Sequence, residues 1–175
     1  MRSPTVCGPE RASIRKRKNY ASHVRRGLAG LYERDFHAWA NEQAGLLRAG
    51  KLASVDLAHV AEEIESMGRS ERRELVNRLV VLVMHLLKWR YRPGRQGTSW
   101  RLSIKEQRIR LKSHLEDNPS LKSQIDWAIT QAYPLALIEA ERETGLHEST
   151  FPSICPFPYG QLLDDAFWPD AAGSH

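Results

Sequence analysis

His59-Val60-Ala61-Glu62-Glu63 is the stretch closest in form to a metal site, with His and Glu three and four residues apart on one helical segment. A zinc hydrolase of that type needs a second helical histidine and a third ligand around an open coordination position. Neither is present, so the sequence assigns no metal and no cofactor. A second group is a polar seam on an otherwise apolar segment: Arg78, His85 and Lys88, with Glu63 within reach from a preceding helix. Buried charges must be paired or give up their charge. Glu63, His85 and Lys88, near Trp100 and Arg101, are therefore the candidates for an acid–base pair or a small-molecule pocket. The same residues also suit a polar network that fixes the register of packed helices, and that reading is preferred. The third group is cationic. Arg101, Lys105, Arg108 and Lys112 recur at helical spacing and, with Arg90, Arg92 and Arg95 just before them, form a ridge able to follow a phosphate backbone. No nucleic-acid motif accompanies the ridge. Cys155 lacks a neighbouring histidine, and no phosphate loop, GxSxG elbow or dinucleotide fingerprint occurs.

These residues need elements to position them, and the central one is Leu75–Tyr91. Leu75, Leu79, Leu82, Leu86 and Trp89 share a face, Val76, Val83 and Leu87 lie beside it, and Val80, Met84 and Tyr91 widen the arc. A helix apolar over most of its girth is surrounded by others. Its apolar run falls well short of the ~20 residues that cross a bilayer, so no membrane span is expected. Before it, Asp56–Gly68 reads as a separate acidic helix that buries Leu57, Val60, Ala61, Ile64 and Met67 and turns Glu62 outward. Gly68 ends that helix and Ser70 caps the next.

The other elements follow from spacing and breakers. Tyr32, Phe36, Trp39, Gln43 and Leu46 repeat helically up to Gly50. After the loop Arg92–Gly97, a helix runs to about Glu116 with Trp100, Ile104, Leu111 and Leu115 inward. Ser120 caps a further helix, which Pro134 ends or kinks. Phe151–Pro158 is extended with its aromatics tucked in, and a short helix closes the chain. No alternating strand pattern occurs. The expected fold is all α: a single bundle of five to six helices around the central apolar one, over residues 28–170, with a disordered basic tail at 1–27 and a flexible end at 171–175.

Charge is divided unevenly along the 175 residues, whose net charge is +5. Residues 1–30 hold eight Lys/Arg against one acid, 31–68 three against seven, 69–112 thirteen against three, and 113–175 two against ten. Basic and acidic helices in one domain pair along their rims, which gives the polarity a structural use before any functional one. The basic tail lacks the apolar core of a secretory signal. Cys7 and Cys155 stand alone, which suits a reducing, cytoplasmic setting.

The order of segments resembles a bacterial family, domain of unknown function 29. The resemblance rests on Tyr32-x-x-Asp35-Phe36-x-x-Trp39, Leu46-Leu47-Arg48-Ala49-Gly50, and Leu57-x-x-Val60-x-Glu62-Glu63-Ile64-Glu65-Ser66-Met67-Gly68. It continues through His85-Leu86-Leu87-Lys88-Trp89, Ser99-Trp100-Arg101, Glu106-Gln107-Arg108, Pro119-Ser120-Leu121, Glu143-Thr144-Gly145-Leu146, Phe151-Pro152, Cys155-Pro156 and Gln161-Leu162-Leu163. It spans about residues 30–169 and implies a helical bundle and a bacterial source, with no activity attached.

Function is accordingly expected to be interaction rather than catalysis: a protein-interaction or accessory module with an unknown partner or a second copy of itself. One alternative is a nucleic-acid accessory protein using the basic region 88–112 through Arg92, Arg95, Arg101, Lys105, Arg108 and Lys112. The other is an enzyme with its site at Glu63, His85 and Lys88.

Overall fold

Asp35 opens the first long helix by accepting a hydrogen bond from the Ala38 N–H at 2.9 Å, the ordinary use of a short carboxylate at a helix start. The computed structural model describes residues 30–171. The basic tail expected at 1–27 and all but the first residue of the C-terminal end expected at 171–175 lie outside the described residues. After a helical turn at residues 30–34 come α1 (Phe36–Arg48), α2 (Leu57–Tyr91), α3 (Thr98–Asp117), α4 (Ile125–Thr144) and the short α5 (Tyr159–Leu163). Single 3-10 turns fill most connections, and no strand occurs among the described residues. The all-α expectation holds.

The chain divides into two compact units, one ending at Ser66 and the other beginning at Met67. In the first, α1 and the start of α2 form a helical hairpin. Gly50 turns the chain with φ +66°, a backbone shape that favours glycine. Gln43 then ties the hairpin together, its buried side-chain oxygen accepting from the Asp56 N–H at 2.8 Å. Trp39 and Val55 are the buried apolar side chains of this unit.

The second unit has the core. Leu75, Leu79, Leu82, Val83, Leu86 and Leu87 of α2 are each at most 1% exposed, so this part of α2 is the enclosed rod its composition required. Ile104, Leu111 and Leu115 of α3 and Ala128, Ala132, Ala136 and Ala140 of α4 close on it. The alanine row at four-residue spacing gives α4 a small-residue face that permits close approach. Phe151, Phe157 and Leu162 seal the remainder, with the Tyr133 hydroxyl donating to the Pro152 carbonyl at 2.6 Å.

Three local expectations need correction. Gly68 does not end a helix: α2 is continuous from Leu57 to Tyr91, and Ser70 lies inside it rather than at a cap. Gly68 does not have positive φ, and a Cβ placed there would meet open space, so nothing local stops the helix at that point. Of the two expectations for Pro134, ending the helix is the one that fails: it sits within the single helix α4. The carbonyl it deprives of a partner belongs to exposed Thr130, where water can satisfy it. Finally, Ser120 lies in a 3-10 segment, Pro119–Gln124, and α4 begins only at Ile125.

Candidate functional site

The start of α2 is rotated away from the orientation its pattern suggested. Half-buried positions His59, Val60, Glu63 and Ser66 recur at helical spacing and form its inner face, while Leu57, Ala61, Ile64 and Met67 are exposed. Leu57 is 60%, Ile64 65% and Met67 67% exposed. Polar and aromatic contacts hold this rotation. The Tyr32 ring stacks on His59 at 4.1 Å and meets Trp39 edge-on at 4.8 Å. The Tyr32 hydroxyl donates to Glu63 Oε1 at 2.5 Å. That bond to a carboxylate, with smaller burial and charge effects, raises the Tyr32 pKa to about 12. His59 Nδ1 lies 2.6 Å from Asp56 Oδ2, and the bond to this carboxylate holds the imidazole pKa above its usual value. The sequence identified the apolar stripe correctly but assigned it to the inside.

Glu63 is therefore taken up by Tyr32, and the carboxylate that meets Lys88 is Glu143 of α4. The Lys88 side chain is buried, its ammonium paired with Glu143 and lying 4.5 Å from the centre of the Trp100 ring. His85, one helical turn before, keeps a buried Nδ1 without a hydrogen-bond partner. Burial first, and the Lys88 charge second, push its pKa down to about 4, so it is neutral at ordinary pH. Chemically this is an ion pair capped by an indole face beside a neutral imidazole. The arrangement pairs a buried charge, as the low-dielectric interior demands. Glu143 stands in the motif Glu143-Thr144-Gly145-Leu146, but nothing in that motif says which residue of another helix its carboxylate meets.

The cationic ridge is interrupted. Arg101 and Lys105 are exposed, as is Arg95 on the turn after α2. Lys112 pairs with Asp165 at 2.7 Å, which lowers the Asp165 pKa. The Arg92 guanidinium donates to the Thr144 carbonyl at 2.6 Å. Arg108, expected on the outer face, is fully buried. Its Nε donates to the Leu162 carbonyl at 3.0 Å, and one terminal nitrogen to the Phe167 carbonyl at 2.8 Å. The C-terminal segment covers this part of α3, so a guanidinium that spacing placed in solvent instead caps the last carbonyls of α5.

One open groove runs between α2 and α4 in the second unit. Its wider end has a volume of about 580 Å³ and is lined by Arg69, Arg72, Arg73, Val76, Trp127 and Leu135 among others. The Arg72 guanidinium lies 4.4 Å from the Trp127 ring centre. Among the described residues, no three His, Cys, Asp or Glu side chains converge to hold a metal ion, and no helix is long and apolar enough to cross a membrane.

A family model, domain of unknown function DUF29, matches residues 31–168, nearly all of the described chain. The chain belongs to the DUF29 family. No curated protein and no solved structure matches it. For this DUF29 chain the family brings a shared sequence pattern and no assigned activity.

Proposed function

We propose that this DUF29 protein is an association module that pairs with a second copy of itself, the hairpin of residues 30–66 being the docking element. The observation that supports this is the outward stripe Leu57–Ile64 on a hairpin with almost no core of its own. Chains below roughly 40 residues rarely hold together without a metal, disulfide or oligomeric partner. Each large aliphatic side chain moved from water into an interface contributes about 1.5–3 kcal/mol, so Leu57, Ile64 and Met67 together suffice for a reversible contact.

A catalytic reading lacks a comparable observation, since the Lys88 ammonium is enclosed and paired. A reducing, cytoplasmic setting suits the free Cys155. Its thiol donates to the Phe157 carbonyl at 3.6 Å, and burial pushes its pKa up, away from reactivity.

Size-exclusion chromatography with light scattering tests the reading. The expected mass at high concentration is twice the 20.0 kDa of the chain. The variant Leu57→Asp/Ile64→Asp should elute as a monomer with an unchanged helical circular-dichroism spectrum. A wild-type protein that stays monomeric up to its solubility limit overturns the proposal.

A further inference from the structure

We infer that the surface receiving the hairpin is the arginine-rimmed groove between α2 and α4 of the second copy, so that each dimer holds two reciprocal hairpin-in-groove contacts. This rests on the self-association proposed above and adds where the stripe docks. Three observations on the groove select its occupant. First, it has an apolar floor. Trp127 is 42% and Leu135 50% exposed, and with Gln131 between them they fall at four-residue spacing, one solvent-facing stripe of α4. Val76, Val80 and Met84 of α2 supply the other wall. Such a floor does not suit a bare phosphate or other small anion; it suits the apolar face of an amphipathic helix.

Second, the rim is positive. Arg72 and Arg73 stand exposed at its wide end; of the lining carboxylates, Glu74 is paired with Arg78 at 2.5 Å and Glu139, at the other end, with Arg142 at 2.6 Å. The fitting segment is therefore apolar along one stripe and acidic overall. The hairpin answers to both: Leu57 and Ile64 are exposed on it, and residues 31–68 hold seven acids against three bases.

Third, the lengths agree. At 1.5 Å per residue the stripe from Leu57 to Met67 is roughly 15 Å long. The groove continues past Asn77 and Leu135 into a second space of about 370 Å³ that reaches Met84. Arg69 to Met84 is roughly 22 Å of helix, room for the whole stripe. Stripe and groove are different surfaces of one chain. Made reciprocally, the contact is isologous and closes at two copies; made one way only, it is heterologous and runs on into open chains.

Complementation between two defective variants tests the inference. One variant, Leu57→Asp/Ile64→Asp, has lost the stripe and keeps the groove. The other, Leu135→Asp/Arg73→Glu, has lost the groove and keeps the stripe; its substitutions fall on exposed positions, and Arg72→Glu/Arg73→Glu is a second groove variant that leaves the apolar floor intact. Each alone should self-associate at least about tenfold more weakly than wild type. An equimolar mixture should form a two-copy species, because one intact stripe then faces one intact groove. If the groove variants self-associate like wild type and only the stripe variant fails, the stripes pack on each other: the inference falls and the association reading stands. A mixture that stays monomeric also overturns the inference. A monomeric wild type removes both.

Discussion

His59 and His85 are two histidines of one helix driven in opposite directions by what they face. His59 stands next to the Asp56 carboxylate, which favours its charged form. His85 is partly buried with the Lys88 ammonium close by, and both disfavour charge. Proton NMR titration should find His59 titrating above 6.5 and His85 near 4. The consequence for stability follows from linkage. An unfolded His85 takes up its proton near 6.5, the folded one only near 4. The contribution of neutral His85 is full above 6.5, declines as pH falls through that interval, and is gone below 4. Discounted for the solvent that still reaches this partly exposed ring, it amounts to on the order of 1–2 kcal/mol. Urea unfolding of wild type and His85→Gln across this range should show the wild type losing more stability on acidification; parallel profiles would mean that His85 is solvated. That His85 and Lys88 stand in a polar seam was legible from the sequence, because helical spacing puts them on one side of an apolar rod. Their partner was not. Glu143 meets Lys88 only through the packing of α4 on α2, and a single sequence holds no signal for that contact.

At the level of elements, α2 shows what periodicity reveals and what it leaves open. The stripe Leu57, Val60, Ala61, Ile64, Met67 is visible as a set, but spacing states only which residues share a face. Which face turns inward was decided by Tyr32 and Trp39, whose rings find His59 and whose neighbour Asp35 starts α1. For the enclosed part, Leu75–Tyr91, the question hardly arose, since nearly every direction around it is apolar. Breakers were read with similar limits. Gly145 ends α4 with φ +69°, the left-handed cap that glycine adopts without strain, whereas Gly68 lies inside α2 with helical backbone and free space at its missing Cβ. The two should answer alanine with opposite signs. Gly68→Ala should stabilise by roughly 0.5–1 kcal/mol, from higher helix propensity and a less flexible unfolded chain. Gly145→Ala should destabilise by about 1 kcal/mol. Thermal melts of the two variants against wild type decide it, and a destabilising Gly68→Ala would place a break in α2 at that residue.

For the molecule as a whole, the alternation of basic and acidic segments takes on a use that the folded chain only partly absorbs. Some of the charge is consumed internally: Lys88 with Glu143, Lys112 with Asp165, Arg78 with Glu74, and Arg108 against backbone carbonyls. Arg72 and Arg73 remain exposed at the groove rim, and reciprocal docking brings them to a segment, residues 31–68, that holds seven acids against three bases. Exposed charge pairs contribute little individually and are screened by salt, with a Debye length of about 10 Å at 0.1 M and about 3 Å at 1 M. Apolar burial, by contrast, is unweakened by salt. The dimer should therefore loosen by a few-fold, not collapse, as sodium chloride rises, and most of the change should appear in the association rate, which charge steers. Sedimentation velocity or fluorescence-detected association at low and high salt reads this directly. Arg73→Glu should flatten the salt dependence as well as weaken the dimer. Association that strengthens with salt in wild type, and is indifferent to Arg73, would mean that the arginine rim plays no part in holding the second copy.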